Sequence, residues 1–495
     1  MTGFKRQNPA AAPVFLTVFL VLVLLGGALG AQNLPDDIDI TQSPDGIVAL
    51  PARVHSVFRS TFDRYTKIIA PNGGAIHFLL QSQVTNEMGV RAREILRFYI
   101  TDAPGSEFGA DKTAVANSMA NLDATLVYFN SESAAERAIE GRLGKVDLFF
   151  QDLYASESVV EGSRDYVNNT LRDATLEEVF HLVHGAGIQP TLPAFHSRIT
   201  AATNAAIAAG IYDPPPSREL PRADRPFEYI ISIIDVYYGM WAHDRDGDSF
   251  GGEYRYNTRA EIEAGDPSGV AAMLAFLPPY LEASLTVTGS WNSEFTLTRN
   301  PAVPYTHKSQ YLTNVRLSGT RNASLTGNSL DNTLAGNSGN NRIDGGGGMD
   351  SVLFSGQSSE YAVTTRAGVI EVSDTVRGRD GTDRLSAVER LVFTDRVIDP
   401  TAGGSFLRGD GNDDGSIDLT DAVYILNYLF LGGDSPGCMD SVDADDNGLV
   451  QLTDGVFILN FLFLGGAVPP APYPGCGTDD RDGTPGCKLP AGNCE

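Results

Sequence analysis

Two stretches near the C-terminus set acidic and amide side chains at matched intervals. Asp410, Asn412, Asp414, Asp418 and Asp421 take positions 1, 3, 5, 9 and 12 of one loop; Asp443, Asp445, Asn447, Gln451 and Asp454 take the same positions 33 residues later. Gly415 and Gly448 hold position 6 of each. Ca2+ takes six to eight hard oxygens at about 2.4 Å, and this spacing wraps a chain around one ion while the glycine permits the sharp turn. The main-chain ligand would be the position-7 carbonyl, from Ser416 and Leu449. Two matched copies argue for bound calcium over solvated acidic turns.

A second constellation lies between Asp173 and His184, in DATLEEVFHLVH. Thr175 and Glu178 have capping-box spacing. On a helix, Leu176, Val179, Phe180, Leu182 and Val183 share an apolar arc, whereas Glu177, Glu178, His181 and His184 gather on the other side. Glu177, His181 and His184 fall within about 60° of one another. Two imidazoles and a carboxylate on one face can take a transition metal such as Zn2+, with Glu178 as base toward a bound water. The bland alternative is a solvated polar face. Farther on, Asp244, Asp246 and Asp248 have the 1-3-5 spacing of a calcium loop beside His243, but Arg255 stands at position 12. His55, His77, His196 and His307 stand alone in the sequence, and such histidines more often satisfy a local hydrogen bond than hold a metal.

The elements that carry these groups differ along the chain. Residues 52–300 mix helix-period stretches (Gly89–Tyr99, Ala134–Leu143, Thr200–Gly210, Tyr229–Trp241) with strand-like runs at Ala75–Gln81 and Ala124–Phe129, which predicts an α+β domain over 32–310. Alternation from Ala283 to Thr298 predicts a closing hairpin, and five prolines between Asp213 and Pro226 predict a surface loop. Over 311–353 a nine-residue period appears, with Leu325, Leu334, Ile343 and Val352 in step and Gly327, Gly336 and Gly345 following each of the first three. So short a period fits stacked turns with one inward apolar residue each. Behind each acidic loop runs one apolar helix, and Asp418–Gly433 matches Gln451–Gly466 at 12 of 16 positions.

Three resemblances follow from these residues. The nonapeptide run resembles the calcium-binding repeats of RTX proteins, whose parallel β-roll holds calcium between turns; Asp350 keeps the acidic position, where Asn332 and Asn341 stand in the preceding turns. Residues 354–403 resemble the β-rich module that follows such repeats. The paired loops, with Asp rather than the Glu of an EF-hand at position 12, resemble a type I dockerin over 405–466. That resemblance implies two calcium ions and docking onto a cohesin-like extracellular partner through Leu419-Thr420 and Leu452-Thr453, in a family associated with polysaccharide degradation. The chain departs from it at Asn427-Tyr428 and Asn460-Phe461, where basic residues are usual. The Glu177–His181 segment is distantly similar to the HExxH helix of zincin metallopeptidases, with Glu177 in the first histidine's place. This implies Glu178 as catalytic base and a further glutamate from a later helix, for which Glu253 is the candidate.

Composition narrows the function classes. A formal charge of −26 argues against nucleic acid as a partner, because phosphate binding needs clustered cations. Residues 405–495 hold 15 Asp/Glu against 3 Lys/Arg, a density that calls for bound counter-cations. Lys5 and Arg6, an apolar run from Val14 to Leu25 and small residues to Ala31 predict a signal peptide over 1–31, leaving no membrane span in the mature chain. Cys438, Cys476, Cys487 and Cys494 then meet an oxidising compartment, where two disulfides can form in three pairings, partly in a tail over 467–495. The expectation is a multi-domain protein, secreted or at the cell surface: an α+β domain, a short parallel β-roll with a β-rich companion, and a small all-α calcium module. Two functions fit it: an attachment protein, and a secreted metal-dependent hydrolase, peptidase-like or polysaccharide-degrading, localised by that module.

Overall fold

A computed structural model describes residues 34–214, 220–243, 252–366, 369–400, 405–478, 487 and 494. The N-terminal apolar run, the cluster Asp244, Asp246 and Asp248, residues 215–219 of the proline-rich loop and most of the tail past Thr478 lie outside the described residues. No helix among the described residues is long and apolar enough to cross a membrane. The chain mixes helices with three sheets and divides into two compact units, Met1–Thr288 with Arg299–Asn314, and Gly289–Thr298 with Val315–Glu495.

The first unit is built on a five-stranded sheet in the order Val48–Ala49, Arg64–Ile69, Ala75–Leu80, Thr125–Phe129, Phe150–Tyr154. The first three strands pair antiparallel and the last three parallel. The runs AIHFLL and TLVYF are buried at every position, as central strands covered on both faces must be. Parallel pairing requires crossovers, and Asn86–Ile100 with Thr113–Asn121 makes the first, Glu132–Glu140 the second. Asn86–Ile100 starts where the Thr85 hydroxyl accepts from Met88 N at 3.2 Å, and it buries Ala92, Ile95, Leu96 and Tyr99.

Against these elements packs Thr175–Val183, continued by one π-helical turn, His184–Ile188. Every residue from Thr175 to Ile188 is buried, so the solvated polar face allowed by the sequence is not formed. The capping box also differs from expectation. Asp173 Oδ1 accepts from Thr175 N and Oγ1 at 3.3 and 2.8 Å, while Glu178 turns away to Gln151. At Gly187 an added Cβ would sit 2.6 Å from Val115 Cγ1, so glycine lets the π turn lie close to Thr113–Asn121. Arg225–Tyr237, buried from Pro226 to Tyr237 except at Glu228, lies against the same helix.

In the second unit the nine-residue period resolves into alternating strands. Ser324–Thr326 pairs in parallel with Arg342–Asp344, and Thr333–Ala335 with Ser351–Leu353, so consecutive apolar positions enter two different sheets and each sheet repeats every 18 residues. Leu325, Leu334, Ile343 and Val352 are fully buried. The hairpin expected over 283–298 is overturned: Glu294–Thr296 pairs in parallel with Ser324–Thr326 and not with Leu285–Val287, because joining the stack buries Phe295 completely. Tyr361–Arg366, Val369–Asp374 and Thr382–Ser386 add an antiparallel meander, whose last strand joins Arg342–Asp344 in parallel. The repeat-matched helices, Leu419–Leu431 and Leu452–Leu464, pack together over Ala422, Ile425 and Ile458, with Val442 and Ala444 beneath. Both end at a left-handed glycine, Gly432 and Gly465.

Candidate functional site

In the first unit, buried charge begins at Arg91. Its guanidinium bonds Glu161 at 3.0 Å and Asp173 at 2.7 Å, all three nearly withdrawn from water. Asp173 in turn starts the Thr175–Val183 helix, and Tyr99 Oη donates to Leu176 O at 3.1 Å, so Asn86–Ile100 fixes where that helix begins. One turn on, Arg172 bonds Glu177, and His181 Nε2 lies 3.9 Å from Glu177 Oε1 and 3.8 Å from Glu228 Oε2. One nitrogen and two carboxylate oxygens from two helices thus converge within 4.8 Å.

The electrostatics follow from burial. Glu177 would be raised by desolvation, but Arg172 and His181 hold it down at about 2. His181 would be lowered by burial, yet Glu228 and Glu177 outweigh this and raise it. Glu178 accepts from Gln151 Nε2 at 2.6 Å and is pushed well up by burial, then by Glu177 and Glu157. Glu157 rises to about 8 for the same reason, burial first and Glu177 second. Carboxyls pushed down and carboxyls pushed up thus stand side by side, the arrangement that separates acid from base. A cleft lined by Arg172, Asp173, Asp235, Trp241, His243 and Lys308 opens beside it.

Of the four transition-metal candidates, the structure brings Glu177 and His181 together. His184 points elsewhere, with its Nε2 3.0 Å from His196 Nδ1 and its ring stacked on Phe227. Glu253 lies in an isolated pairing beside Tyr212, where its carbonyl accepts from Asp213 N at 2.8 Å. Glu228 was missed. It sits on a helix that reads as apolar, and a lone glutamate between Phe227 and Tyr229 was the available signal.

The acidic loops of the second unit are near copies. Asp410 accepts from the N–H of Asp414 and Gly415 at 3.1 and 2.9 Å, and Asp443 from Asn447 and Gly448 at 3.0 and 2.8 Å. At position 12, Asp421 accepts from Gly411, Asn412 and Asp418, and Asp454 from Asp445 and Gln451. The turns need left-handed backbone at Gly415 (φ +89°) and Gly448 (φ +87°). Asp414 Oδ1 receives Ser416 N, and Asn447 Oδ1 receives Leu449 N, each at 3.0 Å. Asp418 caps its helix through Thr420 N.

Asp410, Asp421, Asp443 and Asp454 are all buried. Burial and the neighbouring aspartates push Asp421 and Asp454 up to about 6 against the backbone donors that lower them. Asp443, Asp445 and Asp454 converge within 4.8 Å, and Asp445 Oδ1 is buried without a hydrogen-bond partner. Hard oxygens crowded this way suit Ca2+. In the first loop Asn412 stands where the second has Asp445, and its amide oxygen accepts from Asp414 N at 3.1 Å.

Asp350 bonds within the strand stack: its Oδ1 accepts from Asn332 N at 2.8 Å, and its own N–H donates to Glu389 at 2.8 Å. Asn341 N donates likewise to Asp383. The four cysteines form two disulfides, Cys438–Cys487 and Cys476–Cys494. Arg408, fully buried, ties the module together by donating to the carbonyls of Ala471, Asp440 and Asp443. No family model matches the chain, and no curated protein matches it.

Proposed function

We propose that this is an exported, calcium-binding modular protein whose paired-loop module attaches it to an extracellular protein partner. The observation that carries the reading is a duplicated apolar surface beside the loops. Leu419 and Leu452, Val423 and Val456, Phe430 and Phe463, and Leu431 and Leu464 occupy equivalent positions, and every one is exposed, Leu431 and Leu464 at 78% each. Exposed apolar residues grouped on a small module mark an interaction surface. Leu419-Thr420 and Leu452-Thr453 lie at its loop end. Asp410, Asn412, Asp414, Asp418 and Asp421, with their counterparts Asp443, Asp445, Asn447, Gln451 and Asp454, would hold one calcium ion per loop, with the carbonyls of Ser416 and Leu449. Bound calcium would supply the positive charge that fixes the loops and, through them, both helix starts. The two disulfides fit an oxidising destination.

A cohesin-like partner is the resemblance's own suggestion, and surface plasmon resonance of the full chain on an immobilised cohesin domain tests it. The reading expects binding in calcium, loss in EDTA, and loss on changing Leu419 and Leu452 to Asp. Binding indifferent to calcium and to both substitutions would refute it.

The convergence of Glu177, His181 and Glu228 favours a second reading for the first unit, a metal-dependent hydrolase. Those three side chains would hold a divalent transition ion, which when bound would polarise a substrate oxygen or water. Glu178, anchored by Gln151, would exchange a proton with that water. Loss of one zinc equivalent from the full chain on changing His181 to Ala, measured by elemental analysis, is the expected result; unchanged zinc content would exclude the site.

A further inference from the structure

On the middle strand of the first unit's sheet a histidine stands alone in the sequence but not in the fold. His77 lies on Ala75–Leu80, wholly buried, and its Nδ1 is 2.7 Å from Tyr65 Oη on the neighbouring strand. Its Nε2 is buried and has no hydrogen-bond partner. Such an atom is costly unless something meets it. What it faces are two carboxylates from distant parts of the chain, Asp36 in the N-terminal segment and Asp123 in the turn before Thr125–Phe129. Asp36 Oδ1 is 3.6 Å from His77 Nε2, and one oxygen of each carboxylate lies with a ring nitrogen of His77 inside a 4.8 Å span.

We propose that Asp36, His77 and Asp123 form a site for a divalent transition ion, typified by Zn2+, that fastens the N-terminal segment to the central strands of the first unit's sheet. Ligands around tetrahedral zinc, with bonds near 2.0–2.1 Å, stand about 3.3 Å apart, so the 3.6 Å separation needs only a small side-chain adjustment. The second shell suits it as well. A histidine that gives one nitrogen to a metal donates its other N–H to an oxygen, and Tyr65 Oη is placed to accept. Asp36 is held by accepting from Ala75 N at 3.1 Å, and its carbonyl receives the Lys67 ammonium. Lys67 opposes a cation, but two carboxylates leave the site net negative. The side chain of Asp36 is about half exposed, giving the ion a way in and a fourth, water-filled position. The site is separate from Glu177, His181 and Glu228 and does not depend on either proposed function.

The test uses the full chain in excess Ca2+, so that the acidic loops do not take up zinc, and counts Zn2+ by elemental analysis and calorimetry. Asp36→Asn and Asp123→Asn alter partly exposed side chains and leave the buried histidine in place. Each is expected to bind one Zn2+ fewer than the native chain, or to bind it at least tenfold more weakly, with no further loss in the double variant. His181→Ala is expected to leave this equivalent in place, whether or not the other cluster binds zinc. His77→Gln should repeat the deficit, with circular dichroism checking its fold. Identical zinc content and affinity in native, Asp36→Asn and Asp123→Asn chains would overturn the proposal.

Discussion

The two acid-rich regions of this molecule are stabilised in opposite ways. In the first unit buried carboxylates meet cations of the protein's own: Arg91 between Glu161 and Asp173, Arg172 on Glu177, His181 between Glu177 and Glu228. In the second acidic loop, Asp443 and Asp454 meet backbone N–H groups, and among the described residues no Lys or Arg is paired with Asp443, Asp445 or Asp454. Arg408 bonds Asp446 and carbonyls instead. Charge matched internally makes a fold self-sufficient. Charge matched only by N–H dipoles would make it depend on a cation from outside, linking folding to the surroundings.

The sharpest way to break the first half of this contrast is Arg91→Met. It leaves Glu161 and Asp173 buried and unpaired, and about 3–5 kcal/mol of stability should disappear in urea denaturation of the full chain, with or without calcium. Asp443→Ala should act only in calcium. At about a hundredfold excess over Kd the native loop gains about 2.7 kcal/mol from its ion, so the variant should lose about that much in calcium and little in EDTA.

Asp383 sharpens the contrast within the strand stack, where Asn332 and Asn341 do with amides what it does with a carboxyl. Burial raises it to about 8. A folded value above the unfolded one means that the folded chain keeps a proton the unfolded chain has released, so stability falls as pH rises from about 4 to 8. Asp383→Asn keeps an acceptor for Asn341 N. Its melting temperature should hold steady from pH 5 to 8.5 where that of the native chain declines, a gain of about 1–2 kcal/mol at the upper end.

Lys112 should give the smallest effect. It is a fully buried ammonium over the Phe276 ring at 4.5 Å, lowered to about 8 by desolvation against Asp102 and Glu282. Here the unfolded chain binds the extra proton, so stability rises as pH climbs from about 8 to 10.5. Lys112→Met should remove that rise and add about 1 kcal/mol at pH 7, the ring contact having offset part of the cost.

What the sequence made legible was local. Loop spacing, the position-6 glycines and the helix behind each loop lie within a few dozen residues, and so does the nine-residue period. What stayed hidden depended on distance or on faces that look alike. Glu228 reaches His181 from a separate helix, and Asp36 and Asp123 reach His77 only once the sheet has formed. The 18-residue register was not visible because strands of both sheets carry the same apolar centre, so alternation between them leaves no mark in composition. Polarity also misled on Thr175–Val183: Glu177, Glu178 and His181 look like a wet face, but charged neighbours from other elements let the fold bury them.

The claim on which this contrast rests is that the paired loops need calcium where the Arg91 and Arg172 clusters of the first unit do not. Calorimetric titration of Ca2+ into the full chain, beside thermal melts in calcium and in EDTA, tests it most directly. Two bound ions are expected, with one melting transition rising when calcium alone is returned to the EDTA-treated chain while the other does not respond to calcium. A chain that takes up no calcium and melts identically in EDTA would contradict it.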